Sequence, residues 1–265
     1  MEAIGLAVQV VTLAVVVYAA RKAYWAVEIG AKNRERIRQE SVNATRQTEH
    51  LAVLYRKLDL EPGSLPPTRG WAASPDFLNV LHDHVVDHEP GTVVECGSGL
   101  STLVVARAFQ QRGHGMLLSL DHDPRYAHRT SSMLQELGLE GWARVALAPL
   151  APIRIGERNW SWYDLSAVDL PESVDLIVVD GPPSPLVGPR GRYPVGAQLF
   201  GRLSDRGVVL LDDAARAGEK RVIEDLLREF PQLEAKDYAC EKGCTGLARR
   251  ATGAGESDEH AAGAA

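Results

Sequence analysis

The apolar positions of this chain form one unbroken run near the amino end and, further on, short runs separated by stretches with helical spacing. The first run is Ala3–Ala20 (AIGLAVQVVTLAVVVYAA), eighteen residues without a charge. As a helix rising about 1.5 Å per residue, it nearly crosses a hydrocarbon core of about 30 Å. Basic residues follow it (Arg21, Lys22, Lys32, Arg34, Arg36 and Arg38), and Tyr18, Tyr24 and Trp25 suit a membrane interface. Only Met1 and Glu2 precede the run, whereas a cleaved signal carries basic residues there. The expectation is a single-pass anchor over residues 1–28, left uncleaved in the cell membrane, with the carboxyl-terminal bulk in the cytoplasm.

Residues 29–64 read as a helical stalk and linker. Ala31–Leu58 lacks Gly and Pro, and its apolar positions (Ile37, Val42, Leu51, Val53, Leu54, Leu58) hold no heptad register. A solvated spacer is expected, with self-association into a homo-oligomer left open. EPGSLPPTRG (Glu61–Gly70) breaks any helix and sets the start of a domain over residues 65–250. The tail, 251–265, is small and polar and reads as disordered.

Within 65–250 the rhythm alternates between apolar runs and amphipathic stretches, which predicts an α/β fold with a parallel sheet and helices on both faces. Strands are expected at Thr92–Cys96, Met116–Asp121, Ala143–Ala148, Val174–Asp180 and Gly207–Asp212. Helices are expected from Pro75, over Ser101–Gln111, from Pro124 to about Leu137 and over Glu219–Phe230. A closing hairpin joins Leu233–Cys240 to Cys244–Arg250. His84 and His88, one turn apart on the first of these helices, lack an evident third ligand and read as a solvated face.

Composition narrows the function. The 265 residues are 45% apolar and carry a net charge of -6, so no positive field draws nucleic acid, and no nucleic-acid partner is expected. Three cysteines, Cys96, Cys240 and Cys244, are too few for a disulfide framework and read as packing residues.

The sharpest chemical signal is VVECGSGLST (Val93–Thr102), in which a strand runs into a glycine turn and then a helix. Gly97 and Gly99 let the backbone approach a ligand, and the helix beyond presents free N–H groups. Thr102 stands where a dinucleotide fingerprint needs glycine, and no phosphate-binding Lys is present, which argues against a nicotinamide-dependent oxidoreductase. The Glu95 carboxylate suits a cationic amino-acid moiety. Asp121, ending the next strand, is placed for ribose hydroxyls. Together they point to a nucleoside without phosphates.

Asp180, Asp212 and Asp213 form a second constellation, because adjacent parallel strands bring their carboxyl ends together. Three carboxylates repel unless a cation intervenes, and oxygen-only ligands select a hard ion such as Mg2+; the alternative is that Asp213, with Arg216 and Glu219, forms an ion-pair network at a helix start while Asp180 only contacts the bound nucleoside. Arg192, Tyr193 and Trp162 are expected to line an acceptor pocket, the first two from the Gly- and Pro-rich segment after Asp180 and Trp162 from the loop before Val174.

VVECGSGLST, LLSLDHDP (Leu117–Pro124), WYD (Trp162–Asp164), VDLIVVDGPP (Val174–Pro183), RYP (Arg192–Pro194) and GVVLLDDAAR (Gly207–Arg216) follow one another as in the class I S-adenosylmethionine-dependent methyltransferases. Over Leu65 to about Arg250 the chain resembles those grouped as methyltransferase domain 24, with kinship to the catechol-type O-methyltransferases. The resemblance implies a Rossmann-like sheet of seven strands, the last antiparallel. It implies that Glu95, Gly97, Ser98, Gly99 and Ser101 hold the methionine part of S-adenosylmethionine, and that Asp121 takes the ribose with His122 beside it. It further implies that Asp180, Asp212 and Asp213 bind Mg2+, with Asp180 catalytic in the transfer of methyl to a hydroxyl of a small-molecule or lipid-linked acceptor. Pro183 stands where those relatives carry a lysine base. The alternative reading is a non-catalytic, membrane-tethered module on the same fold.

Overall fold

The structure, a computed structural model, describes residues 2–70 and 72–250. The tail expected to be disordered, 251–265, lies outside the described residues. The chain divides into two compact units, one ending at Glu49 and the other beginning at His50.

The first unit is helical throughout, part of α1 (Glu2–Leu58). Among its side chains Ile4, Leu6, Val11, Leu13, Val15, Val16, Val17 and Tyr18 are all more than half exposed. Among the described residues α1 is the one helix long and apolar enough to cross a membrane.

The second unit opens with the last turns of α1. Leu51, Leu54 and Leu58, at helical spacing, pack into the same apolar cluster as Phe77, Leu78 and Leu81 of α2 (Pro75–His88). Asn79 Nδ2 donates to the carbonyl of His50 at 2.8 Å, and Arg107 Nε to that of Leu58 at 2.8 Å. The boundary expected at Leu65 therefore falls inside this unit. The Gly- and Pro-rich stretch after α1 is a turn that lets α1 and α2 share one core.

After α2 come β1 (Thr92–Cys96), α3 (Leu100–Arg112), β2 (Met116–Asp121), α4 (Pro124–Glu136) and β3 (Ala143–Leu147). Two strands follow where the sequence pattern predicts none, β4 (Leu150–Ile155) and β5 (Arg158–Tyr163), paired antiparallel about Gly156. Then come β6 (Val174–Val179), α5 (Ser184–Val187), α6 (Val195–Leu199), β7 (Leu203–Asp212), α7 (Ala217–Glu229), β8 (Leu233–Tyr238) and β9 (Cys244–Arg249). The main sheet has seven strands in the order β3-β2-β1-β6-β7-β9-β8. β1 pairs in parallel with β2 and β6, while β9 runs antiparallel to both its neighbours. The order of the strands reverses between β1 and β6, which makes their carboxyl ends the switch point where open α/β sheets take ligands.

Side chains alternate across the sheet and feed two cores. Val93, Leu117, Leu176 and Leu210 face α2, α3 and α4. Val94, Leu118, Ile177 and Leu211 face the β4–β5 hairpin, α6 and α7. By the same alternation Glu95 points to the α3 face and Cys96 to the hairpin face. On α2, His84 is buried and its ring stacks on that of His88 with centroids 4.1 Å apart, so only part of the expected solvated face is solvated.

Candidate active site at the carboxyl ends of the central strands

The glycine turn after β1 is fastened on both sides. On one side the carbonyl of Cys96 accepts from the N–H groups of Asp180 (3.0 Å) and Gly181 (2.6 Å), which ties β1 to the loop after β6. Gly97 has φ +103, and a Cβ there would stand 3.1 Å from the Gly181 nitrogen, so only glycine permits this approach. On the other side the Thr102 hydroxyl accepts from Gly99 N–H (2.9 Å) and donates to Glu95 Oε2 (2.5 Å). Thr102, the residue that breaks the dinucleotide fingerprint, thus links the turn to the buried acid. A Cβ on Gly99 would meet nothing within 4 Å, so the outer side of the turn is open to a ligand.

Glu95 is fully buried and its Oε1 has no hydrogen-bond partner among the described residues. Burial pushes its carboxyl up to about 7, against the pull of the Ser101, Thr102 and Ser119 hydroxyls. An unsatisfied buried carboxylate oxygen beneath an open glycine turn matches the ammonium of an amino-acid moiety.

Asp121 ends β2 and is nearly buried. Its Oδ2 accepts from Ser98 N–H (3.2 Å) and Ser98 Oγ–H (2.5 Å), and its Oδ1 from Asp123 N–H (3.0 Å). A carboxylate offers about four acceptor positions, so ligand hydroxyls can add to this set. His122 lies beside it, with Nδ1 3.6 Å from Asp121 Oδ1. Ser101 is buried in the first turn of α3.

The three aspartates also meet: one carboxylate oxygen from each of Asp180, Asp212 and Asp213 lies within 4.8 Å of the others. Asp212 Oδ1 accepts from the N–H of Asp213, whose backbone takes the left-handed φ of +62. Asp180 has a side chain 21% exposed while that of Asp213 is 5% exposed, so Asp180 is the more open of the two toward a ligand. Burial raises the proton affinity of Asp180 and Asp212; Arg192 opposes this at both, and neighbouring carboxylates add to it.

The expectation for Arg192 and Trp162 is corrected here. Trp162 is fully buried in the core beneath the hairpin, at the end of β5 where it and its neighbour Tyr163 both pack inward. The Arg192 guanidinium enters the aspartate cluster instead of an acceptor pocket, held 3.0 Å from Asp213 Oδ2 and 3.6 Å from Asp180 Oδ1. Tyr193 stacks against Trp160 (4.7 Å between centroids) and donates to Glu229, on the rim of a separate open cavity of about 420 Å³. Sequence reasoning missed the link that Thr102 makes between the turn and Glu95. The buried Tyr163 hydroxyl, unpartnered among the described residues, lies 2.5 Å from the point where a Cβ on Gly181 would stand.

The glycine turn, the buried carboxylates of Glu95 and Asp121 and the three aspartates thus lie at one switch point of the sheet. Residues 94–214 match the family model described as a methyltransferase domain. Over these residues the chain carries a methyltransferase domain. Among solved structures it is similar to the S-adenosylhomocysteine-bound methyltransferase PaMTH1 of Podospora anserina (15% identity, 77% of this chain and 87% of that one, TM-score 0.53). It is similar also to TomG, an O-methyltransferase of tomaymycin synthesis from Streptomyces achromogenes, in complex with S-adenosylmethionine (17% identity, 79% and 96%, TM-score 0.51). At these identities the likeness is one of fold. No curated protein matches the sequence.

Proposed function

We propose that this domain transfers the methyl group of S-adenosylmethionine to a hydroxyl of a small-molecule or lipid-linked acceptor, on the cytoplasmic side of a membrane in which Ala3–Ala20 is the anchor. The observation that carries the reading is the convergence of Glu95, the open turn at Gly99, Asp121 and Asp180 on one sheet edge.

The bound cofactor supplies an electrophilic methyl on a positively charged sulfur. Glu95 and the α3 amino end hold its ammonium and carboxylate, with Gly97, Ser98, Gly99 and Ser101 shaping the turn, while Asp121, with His122 beside it, accepts from the ribose. Asp180, the more open of the acid pair that Arg192 bridges, would take the proton of the acceptor hydroxyl as methyl passes from sulfur to that oxygen, the electron pair of the broken S–C bond staying on the sulfur of the departing thioether. Burial suits it to this, because a carboxylate whose proton affinity is raised is a stronger base near neutral pH. This assigns to Asp180 the role for which Pro183 offers no group. An oxygen-only set of three acids favours Mg2+ by donor type, but the guanidinium of Arg192 already lies among them, so the residues present do not fit a divalent ion and the proton transfer falls to the chain's own groups.

The test is to give full-length protein in detergent methyl-labelled S-adenosylmethionine and a panel of phenolic and lipid-linked hydroxyl acceptors. Asp180→Asn is expected to keep S-adenosylhomocysteine binding and to lose transfer by about a hundredfold or more. Folded protein that binds no S-adenosylhomocysteine would leave the non-catalytic tethered module as the reading.

A further inference from the structure

We infer that the cation serving Asp180, Asp212 and Asp213 is the protein's own Arg192, and that the domain works without a divalent metal ion. The inference rests on the methyltransferase reading of this site and concerns how its acid cluster is compensated.

Arg192 is 2% exposed, a depth at which an arginine persists only when paired. Its partners come from three elements. Nη2 stands 3.0 Å from Asp213 Oδ2 and 3.6 Å from Asp180 Oδ1, and donates to the Asp180 carbonyl. Nη1 donates to the Asp212 carbonyl at 2.9 Å. Nε lies 3.7 Å from Glu219 Oε1 on α7. Arg216 adds a second cation 2.8 Å from Asp213 Oδ2. The planar fork therefore grips two carboxylates and the two carbonyls at the ends of β6 and β7, a pattern a spherical ion cannot reproduce.

A divalent ion bound by these carboxylates would sit about 2 Å from their oxygens, which puts it near the guanidinium. At an effective permittivity of ~20, a unit positive charge about 4 Å away weakens the binding of even a monovalent cation roughly a thousandfold. Displacing Arg192 instead would strand a buried guanidinium. Arg192 is also a positioning residue. From the segment between β6 and β7 it fixes the direction of Asp180 by bonding the backbone of the same residue whose carboxylate it faces.

The experiment is a titration of full-length protein with Mn2+ followed by electron paramagnetic resonance, with S-adenosylhomocysteine binding measured on the same samples with and without EDTA. Wild type is expected to leave the free Mn2+ signal unchanged and to bind S-adenosylhomocysteine equally in EDTA. Arg192→Gln is expected to open a Mn2+ site at least about tenfold tighter than wild type, toward the roughly millionfold that a unit charge about 4 Å from a divalent ion accounts for at the same permittivity, and Asp213→Asn added to it should close that site. Stoichiometric Mn2+ binding by wild type overturns the inference, as does a folded Arg192→Gln protein that stays silent. The wild-type titration needs no variant, so it decides the matter even where Arg192→Gln fails to fold. Failure of the methyltransferase reading is separable, since it appears as absent S-adenosylhomocysteine binding whatever Mn2+ does.

Discussion

Glu95 should make ligand binding release a proton. In the free protein its carboxyl is pushed up to about 7 by burial, from 4.5, and its Oε1 lacks a partner among the described residues. An ammonium placed at that oxygen favours the ionised form, so loading takes the proton off. With a free-state value of about 7, roughly a tenth of the carboxyl is ionised at about pH 6 and nine-tenths at about pH 8, so affinity should tighten about ninefold between them. Proton release should fall correspondingly, from about 0.9 per ligand at the lower pH to about 0.1 at the higher. Isothermal titration with S-adenosylhomocysteine in buffers of different ionisation enthalpy counts the protons directly. Glu95→Gln should bind more weakly and lose this pH dependence. The same group has a stability signature. Because its folded-state value lies above the unfolded one, its contribution is full below about 4.5 and is lost as pH rises through about 7, a swing of about 3 kcal/mol that Glu95→Gln should remove. An unchanged proton count in Glu95→Gln would refute the reasoning, because the titrating group would then be another.

Two further outcomes are expected. Gly97→Ala places a methyl 3.1 Å from the Gly181 nitrogen at φ +103, and should lower stability by about 1–3 kcal/mol in urea unfolding and weaken S-adenosylhomocysteine binding, because the turn must shift. Full-length protein should stay with lipid vesicles through alkaline carbonate washing while a form lacking residues 1–28 is released; release of both would remove the anchor from the proposed function.

Much of the domain was legible because its strands are short apolar runs punctuated by glycine and proline. β1 and β2 fall at the expected residues, and the seven-stranded order with an antiparallel last strand follows the implied fold. The β4–β5 hairpin escaped because its apolar positions Ile153 and Ile155 are separated by Arg154, and Arg158 and Asn159 open β5, so no continuous apolar run announced it. The packing of the end of α1 was not legible, for a different reason. Leu51, Leu54 and Leu58 look sparse in sequence, and only the presence of α2 opposite them makes three apolar residues a core face. At the site, glycines and acids could be placed from strand ends alone, since parallel topology dictates where strand ends meet. Arg192 could not, because a long side chain in a connection of roughly twenty residues has a reach that spacing does not constrain. Trp162 lies elsewhere than expected because a strand, and not a loop, carries it and directs it inward.

The carbonyl of Cys96 accepts from two successive N–H groups, those of Asp180 and Gly181. One oxygen atom thus rivets, main chain to main chain, the glycine turn after β1 and the segment after β6 that carries Asp180. Motion of either is transmitted to the other without an intervening side chain that could bend to absorb it. On the proposed function, the spacing between the cofactor seat and the acceptor seat is then set by main chain, at a residue whose side chain takes no part in the chemistry.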